Sequence, residues 1–241
     1  MARRSPRPSP RPVAAEVRTT LAWLARRGSR RNRDGMARYG ITFDKAFGVS
    51  MATMQPLAKR LGRRHALAQA LWRSGWYEAR ILAALVGEAD RLTPAEMDAW
   101  CRDFDSWAIC DTVCMHLFDR SPLAWRKVGV WARRRAEFEK RAAFALLASL
   151  ALHDRTAPDA RFAAALPLVE RAATDPRNFV QKGVSWALRA IGHRNLALHA
   201  AAIDRAAALA RSDDASARWV GKDALRDLQR PLVRRKLERR A

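Results

Sequence analysis

Apolar residues recur every three or four positions from one end of the chain to the other, carried mainly by alanine and leucine with arginine between them. This spacing puts the apolar side chains on one face of a helix, whereas the strict alternation typical of a β-strand is absent. The stripe of Ile109, Val113 and Leu117 is one example, and the stripe within residues 180–191 is another. The pattern therefore predicts an all-α fold.

Capping residues and glycines divide this pattern into separate helices. Ser50 precedes an apolar run over residues 51–61 that is followed by Gly62, and two more helices are expected over residues 65–73 and 77–86. Serine is a common residue immediately before a helix, and glycine is common immediately after one. The boundaries of these three helices are therefore predicted from local signals alone.

Prolines near helix starts give a second kind of signal. The segment Thr93–Glu96 combines a capping threonine, a proline in the first turn and a glutamate that completes a capping box. Ser121 and Asp175 are each followed by proline, which predicts the starts of the helices that contain Trp125 and Trp186.

Two further prolines, Pro56 and Pro167, fall inside apolar runs. A proline inside a helix lacks a backbone donor and clashes with the preceding turn. Pro56 therefore predicts that its helix starts late, at Thr53, and Pro167 predicts a kink or a break.

One stretch of the chain is repeated. Residues 140–148 recur 42 positions later as residues 182–190, with lysine, the aromatic residue, alanine, leucine and the final alanine in matching places. The tripeptide at 187–189 recurs again at 224–226. Periods near 40 made of helix pairs are typical of HEAT-like arrays, which stack into a solenoid with a concave face. Chance similarity between two alanine-rich helices is the alternative, and both interpretations are all-α.

The chain is strongly basic, with 46 lysines and arginines against 24 acidic residues and a formal net charge of +22. Residues 1–12 and 230–241 carry +4 and +5 of this charge, which leaves +13 on the body. Such an excess favours an acidic polymer as partner, although a solvated surface of biased composition is the alternative. We expect residues 1–12 to be a disordered basic arm and residues 230–241 a basic tail.

The three cysteines argue for a reducing compartment, because their number is odd and the chain shows no secretory hydrophobic segment. We expect a cytoplasmic protein, in the bacterial cytoplasm or associated with the nucleoid. Cys110, Cys114 and His116 share one helix in a spacing that does not resemble a zinc site, so no metal is expected. No apolar run approaches the roughly 18 residues that a membrane span needs.

Two tryptophans and one aspartate lie on helix faces that would ordinarily be polar. Trp107 and Asp111 stack one turn apart, away from the apolar stripe, and Trp186 falls on the outer face of its helix beside Lys182 and Arg189. Indoles beside a carboxylate and cations suggest a surface that holds an anionic ligand against π-faces.

Each of these residues also has an ordinary structural interpretation. A tryptophan on a helix is usually part of the core, and we assign five of the nine to packing: Trp23, Trp72, Trp100, Trp125 and Trp131. Asp111, near a helix N-terminus, would complement the helix dipole or pair with an arginine.

Six short segments follow one another in an order that matches a known family. They are Gly35–Ile41, Pro56–Gly62, Glu78–Ala83, Phe104–Asp111, Lys140–Ala142 and Asn178–Arg189. Together they resemble the HEAT-like-repeat DNA alkylation repair glycosylases of the AlkD type, over about Arg30 to Asp227. The resemblance implies a single HEAT-like α-solenoid glycosylase domain over residues 13–229, with a concave basic face. It also implies double-stranded DNA as partner, and cationic 3-methyladenine and 7-methylguanine as the bases removed.

The resemblance assigns roles to individual residues. Asp111 matches the catalytic aspartate, Trp107 and Trp186 match the two tryptophans that face the DNA backbone, and Arg141 matches the arginine that grips a phosphate near the lesion. Lys182 and Arg189 are expected to add DNA affinity. No cofactor is expected, and a monomer suffices for this reaction. Two alternatives stay open: a non-catalytic HEAT-like nucleic-acid binder, and a protein-interaction scaffold.

Overall fold

The computed structural model describes residues 12–41 and 43–239, and no strand occurs among them. The all-α prediction is therefore confirmed. The chain divides into two compact units, the first ending at Glu88 and the second starting at Ala89. Apart from Pro12, the predicted basic arm lies outside the described residues. No helix in the described ranges combines the length and the apolar character that crossing a membrane requires.

The first unit contains five described helices. They are α1 (Val13–Ala25), α2 (Arg30–Ala37), α3 (Met51–Leu61), α4 (His65–Arg73) and α5 (Tyr77–Val86). Helices α1 and α3 both pack on α5, and α4 lies between α1 and α5. The apolar stripes predicted over residues 65–73 and 77–86 are buried, with Leu67, Leu71 and Leu82 fully inaccessible.

The start of α3 corrects one sequence prediction. The helix begins at Met51, not at Thr53, and Pro56 lies inside it. The Ser50 side chain caps the helix by accepting a hydrogen bond from the Thr53 backbone at 3.3 Å, and burial of Met54 and Leu57 on either side of the proline holds the turn in place. Tertiary packing thus offsets the local cost of the proline. The predicted end is confirmed, because Gly62 adopts a left-handed φ of 69° that favours glycine.

A buried carboxylate in α5 organises the loop before α3. Glu78 is fully inaccessible, and its oxygens accept hydrogen bonds from the backbone amides of Phe47, Gly48 and Val49 at 2.6–3.1 Å. Three amides converging on one carboxylate replace the water that the charge loses on burial. The loop is therefore held by a side chain from a helix about thirty residues further along the chain.

Replacing Glu78 by glutamine is expected to lower the free energy of unfolding by about 2–4 kcal/mol, because one charge-assisted acceptor is lost and the new amide group faces a backbone donor. Denaturant unfolding followed by circular dichroism measures the change. Asp34→Asn is the matched control, because Asp34 is exposed and its ion pair with Arg30 is long, at 3.8 Å. This substitution should change stability by less than about 0.5 kcal/mol. Equal effects of the two substitutions would contradict the proposed role of Glu78.

The second unit contains ten described helices and two short 3-10 turns, Ala89–Arg91 and Phe118–Arg120. The helices are α6 (Pro94–Arg102), α7 (Trp107–His116), α8 (Ala124–Trp131), α9 (Glu137–His153), α10 (Asp159–Ala163), α11 (Leu166–Ala173), α12 (Asn178–Gly192), α13 (Leu196–Ala210), α14 (Ala215–Leu228) and α15 (Pro231–Glu238).

The predicted starts in this unit are partly right. Thr93 and Glu96 form the expected capping box, and Pro167 marks the expected break, since it lies in the first turn of α11 after α10 has ended. The starts predicted at Ser121 and Asp175 are wrong by two residues or more. Their side chains instead accept hydrogen bonds from backbone amides two positions on, forming turns before α8 and α12 begin.

The predicted basic tail contains a helix. Residues 231–238 form α15, which contacts α13 and α14 and buries Val233 and Leu237. Its basic residues lie on the remaining exposed face. This segment is therefore part of the packed unit as far as the structure describes it.

A layer in the second unit consists of the four helices α7, α9, α12 and α14. Neighbouring helices of this layer run in the same direction. Cys110 and Cys114 of α7 contact the backbone carbonyls of Phe138 and Ala142 at successive turns of α9. Contacts between α9 and α12, and between α12 and α14, also advance in the same sense along both helices. Helices α8, α11 and α13 each precede one member of this layer and pack against it. This arrangement of paired helices is the repeat that the sequence pattern predicted.

Helix α9 lies at the centre of that layer. Every residue from Arg141 to Ala151 is buried, because α7, α8 and α12 all pack on it. A helix that is buried all round is expected to be apolar all round, and this one is, apart from Arg141 and Ser149. Arg141 is therefore a buried charge, and such a charge requires a partner.

Candidate functional site

The predicted site residues occupy neighbouring helices of the second unit. Asp111 lies in α7, Arg141 in α9 and Trp186 in α12, and α9 contacts both of the other helices. The apolar stripes predicted from the sequence face the core. Ile109 and Val113 of α7 are almost wholly inaccessible, and so is the apolar stripe of α12 within residues 180–191. The opposite faces of α7 and α12 are thereby turned outward.

Asp111 and Arg141 form a bidentate ion pair. The Nε atom of Arg141 donates to Oδ1 of Asp111 at 2.9 Å, and Nη2 donates to Oδ2 at 2.7 Å. A third donor, Nη1, reaches the backbone carbonyl of Phe179 at 2.6 Å. The side chain of Arg141 is 7% exposed and that of Asp111 is 17% exposed. The arginine is thus buried behind the carboxylate, while the carboxylate keeps an edge toward solvent.

Burial and charge act against each other on this pair. Burial raises the pKa of Asp111 above the usual range of an aspartate, although the charge and hydrogen bonds of Arg141 lower it. Burial lowers the pKa of Arg141, but the charge and hydrogen bonds of Asp111, with smaller contributions from Cys110 and Cys114, together raise the pKa of the guanidinium. The two-point geometry joins an ionised carboxylate to a guanidinium. The site therefore holds a carboxylate that is fixed by Arg141 and whose pKa lies above that of an exposed aspartate.

The other predicted residues lie on the outward faces. Trp107, one turn before Asp111, and Trp186 are both half-buried, so part of each indole is accessible. Lys182 is exposed, whereas Arg189 is half-buried, with its Nε donating to the Ser185 carbonyl at 3.3 Å. Of the six predicted residues, Asp111 and Arg141 are joined by direct hydrogen bonds. Trp107 shares α7 with Asp111, and the other three lie on α12.

One residue that supports the site was not predicted. A Cβ atom at Gly183 of α12 would lie 3.3 Å from Cγ of Arg141, so glycine leaves room for the arginine stem between the helices. Glycine inside a helix costs about 1 kcal/mol relative to alanine. Gly183 lies in the middle of a strong helical pattern, and this local cost was the signal that could have pointed to a close approach.

A second ion cluster lies next to the site. Asp175, almost wholly buried, accepts hydrogen bonds from Arg177 at 2.6 and 2.8 Å and from Lys140 at 2.8 Å. These hydrogen bonds hold the pKa of Asp175 well below its usual range, against the effect of burial. Since Lys140 directly precedes Arg141, this cluster fixes the first turn of α9. The sequence had suggested a capping role for Asp175, and the ion pairing was not foreseen.

The three cysteines of the second unit are buried and have no chemical role in the candidate site. Cys101, Cys110 and Cys114 are all buried and unpaired by disulfides, and burial raises the pKa of Cys101 and Cys114. They pack as small apolar residues, as expected. Within the described ranges, no group of three or more potential ligands is placed to hold a metal ion.

One cavity of the second unit lies away from the candidate site. A cavity of about 350 Å³ lies at the far ends of α9 and α12, and its lining includes Leu152 and His193. None of the predicted site residues lines that cavity. A ligand of Asp111 would therefore approach a surface and would not enter this cavity.

The helical architecture and its surface site define a HEAT-like repeat protein. The chain is similar to one solved structure, with a TM-score of 0.72 and 18% sequence identity. The match covers 87% of this chain and 94% of the chain in that structure. That structure is described as belonging to a new family of proteins related to the HEAT-like repeat DNA glycosylases, with affinity for branched DNA structures. At this identity the likeness establishes the fold.

The family follows from a separate comparison. The family model of the DNA alkylation repair enzymes matches residues 20–228, and the chain belongs to that family. No curated protein matches the chain significantly.

Proposed function

We propose that the protein is a DNA glycosylase that hydrolyses the N-glycosidic bond of cationic alkylated purines, chiefly 3-methyladenine and 7-methylguanine, in duplex DNA. The observation that carries the proposal is the Asp111 carboxylate, which is fixed by two hydrogen bonds from Arg141 and accessible along one edge. Membership of the DNA alkylation repair enzymes supports the choice of substrate. The compartment expected from the sequence, a bacterial cytoplasm or nucleoid, is one that contains DNA.

A single carboxylate is sufficient chemistry for such a substrate. Glycosidic cleavage ordinarily needs one acid to protonate the leaving group and a second carboxyl group to stabilise or attack the sugar. A purine alkylated at N3 or N7 already carries positive charge and departs as a neutral base, so the acid is not required. Asp111 would stabilise the oxocarbenium-like sugar and orient the attacking water.

The two tryptophans would hold the sugar and its neighbours. Half-exposed indole rings at Trp107 and Trp186 offer flat faces whose negative quadrupoles favour a developing cation. Each such contact contributes roughly 0.5–2 kcal/mol. Because the carboxylate keeps one accessible edge and none of the predicted site residues lines the 350 Å³ cavity, the damaged nucleotide would react without entering that cavity.

Arg141 would contact both the Asp111 carboxylate and a DNA phosphate. Two of its five N–H groups hold Asp111 and a third holds the Phe179 carbonyl, which leaves one N–H on each terminal nitrogen. These remaining donors are the ones available to a DNA phosphate. The phosphate role expected from the resemblance is thus compatible with a guanidinium whose first task is to fix the carboxylate.

Basic residues on the outward faces would supply affinity without sequence preference. Lys182 and Arg189 lie on the exposed side of α12, and contacts of this kind to phosphates weaken steeply as salt rises. We include in the proposal that the layer of α7, α9, α12 and α14 is the basic, DNA-facing surface, and that one copy of the chain is enough for the reaction.

A non-catalytic DNA-binding role is the second candidate. It is favoured by the structural neighbour, which is described by its affinity for branched DNA, and by the fact that Arg141 already neutralises Asp111. Both candidates predict salt-sensitive DNA binding, and only the glycosylase releases a base.

Mass spectrometry of free bases separates the two candidates. Genomic DNA methylated with a simple alkylating agent is incubated with the protein, and the supernatant is analysed for 3-methyladenine and 7-methylguanine against a no-enzyme control. Release above spontaneous depurination is the expected result. Binding to the same DNA without release would favour the second candidate, and absence of binding at low salt would favour a protein-interaction scaffold.

A further inference from the structure

An exposed tryptophan lies on the helix next to the candidate site, and the proposed function does not use it. Trp219 of α14 is 37% exposed. Its ring has no aromatic or cationic partner among the residues that the structure describes, unlike Trp23, which lies under Arg27 at 4.0 Å. A large, amphipathic ring that is partly exposed and has no aromatic or cationic partner is a candidate contact for a ligand.

The contacts between α12 and α14 fix where this ring lies. Ser185 Oγ donates to Asp223 Oδ2 at 2.6 Å, and His193 Nε2 lies 2.8 Å from Asp227 Oδ2, so the two helices run side by side in the same direction. Trp219 is one turn before Asp223, which places it beside the turn of α12 that contains Lys182. It therefore lies at the same level along the layer as Gly183 and the Arg141 stem that Gly183 accommodates.

The outward faces of the two helices form one continuous surface. On α12 this face contains Lys182 and Trp186, and on α14 it contains Trp219, Lys222 and Arg226, all exposed or half-buried. The side chains that point into the core from both helices lie on their opposite sides. Trp219 thus shares a face with the tryptophan already assigned to the site.

The charges on this surface are cationic in excess. Neither Lys182 nor Lys222 takes part in an ion pair within the described ranges, whereas the acidic Asp223 is already engaged by Ser185 at 2.6 Å and by Arg226 at 2.7 Å. A ring flanked by two uncompensated ammonium groups is complementary to a deoxyribose-phosphate strand, which offers flat sugars and bases between phosphates.

We propose that Trp219, with Lys182 and Lys222, binds the DNA backbone on the same duplex at a distance from the damaged nucleotide, and so extends the site along α14. This inference rests on the proposed function for the identity of the ligand. Packed helices lie 8–10 Å apart, and base pairs are about 3.4 Å apart. The contact at Trp219 therefore falls on the order of three base pairs from the nucleotide that contacts Trp186, and it affects binding rather than the reacting bond.

The test compares two substitutions of Trp219 with a matched control. Trp219→Leu keeps an apolar side chain on the helix but removes the flat ring, and Trp219→Phe restores a ring. Leu196→Ala is the control, because Leu196 is 39% exposed on α13, outside the proposed surface. Dissociation constants are measured for undamaged duplex DNA, which reports binding whether or not the protein releases bases.

Trp219→Leu is expected to raise the Kd by about three- to tenfold, and Trp219→Phe to stay within about twofold of the unchanged protein. The slope of log Kd against log salt should be unchanged in Trp219→Leu and should fall by about one in Lys222→Ala. Only the contact of the lysine with a phosphate releases counterions from the DNA. An unchanged Kd in Trp219→Leu, or a change no larger than that of Leu196→Ala, would overturn the proposal.

A second readout separates this inference from the proposed function. With methylated duplex DNA, Trp219→Leu should raise KM by the factor seen for Kd and leave kcat unchanged. If the unchanged protein releases no base, the glycosylase proposal fails while the binding comparison still decides the role of Trp219. If base release is normal and the Kd of Trp219→Leu is unchanged, only the inference fails.

Discussion

Replacing Asp111 by asparagine is expected to lower the rate of alkylbase release by about 100-fold or more, because the charge that would stabilise the oxocarbenium-like sugar and orient the water is removed. DNA affinity should change little, since Lys182 and Arg189, which would contact phosphates, are unaltered. The measurement is single-turnover release of 7-methylguanine at saturating protein, together with the Kd for the same duplex.

The substitution also weakens the structure, and the control must allow for this. An asparagine amide group facing Arg141 leaves a buried guanidinium uncompensated, a loss of about 3 kcal/mol or more. Asp98→Asn is the matched control, because the Asp98 carboxylate holds Lys127 at 2.8 Å and Arg134 at 3.0 Å in the same unit. Release of 7-methylguanine at the unchanged rate by Asp111→Asn would contradict the assignment, as would an equal loss in Asp98→Asn.

Replacing Arg141 by alanine is expected to affect stability and the pH dependence of base release together. The Asp111 carboxylate and the Phe179 carbonyl both lose their partner, which should lower the free energy of unfolding by about 3–5 kcal/mol. The Arg141 charge is also what lowers the pKa of Asp111 against burial. Without it that pKa rises further, so the ionised form is lost at a higher pH as the solution is acidified, and the acidic limb of the rate profile should move to higher pH.

Rate profiles of base release between about pH 5 and 9 check this prediction. Lys127→Ala is the control, because Lys127 is an equally buried cation of the same unit and holds Asp98 and the Pro94 carbonyl, both at 2.8 Å. It should destabilise the protein comparably and leave the acidic limb in place. An acidic limb that does not move in Arg141→Ala would show that the ionisation of Asp111 does not set the rate.

The sequence predicted well those features that depend on neighbours in the chain. The spacing of Ile109, Val113 and Leu117 was enough to place Trp107 and Asp111 on the outward face of α7, and the structure confirms it. Capping by Thr93 and the break at Pro167 depend on contacts within one turn, and both were foreseen.

Features that depend on distant residues could not be obtained in this way. The ion pair between Asp111 and Arg141 joins positions thirty residues apart, and the sequence left pairing with an arginine as one of two structural alternatives for Asp111. Only the family resemblance singled out Arg141, and it assigned a phosphate as partner. The helix that passes through Pro56 is another example, since the burial that stabilises it comes from other helices.

The burial of α9 from Arg141 to Ala151 determines how this part of the protein opens. Backbone amides between Arg141 and Ala151 have no wet side from which local opening can begin, so their hydrogens should exchange with solvent only when the whole second unit opens. Arg141, which fixes the Asp111 carboxylate, is carried by this same helix. Heat inactivation and melting should consequently superimpose, with no partly melted form in which the fold survives and the reactive geometry is lost.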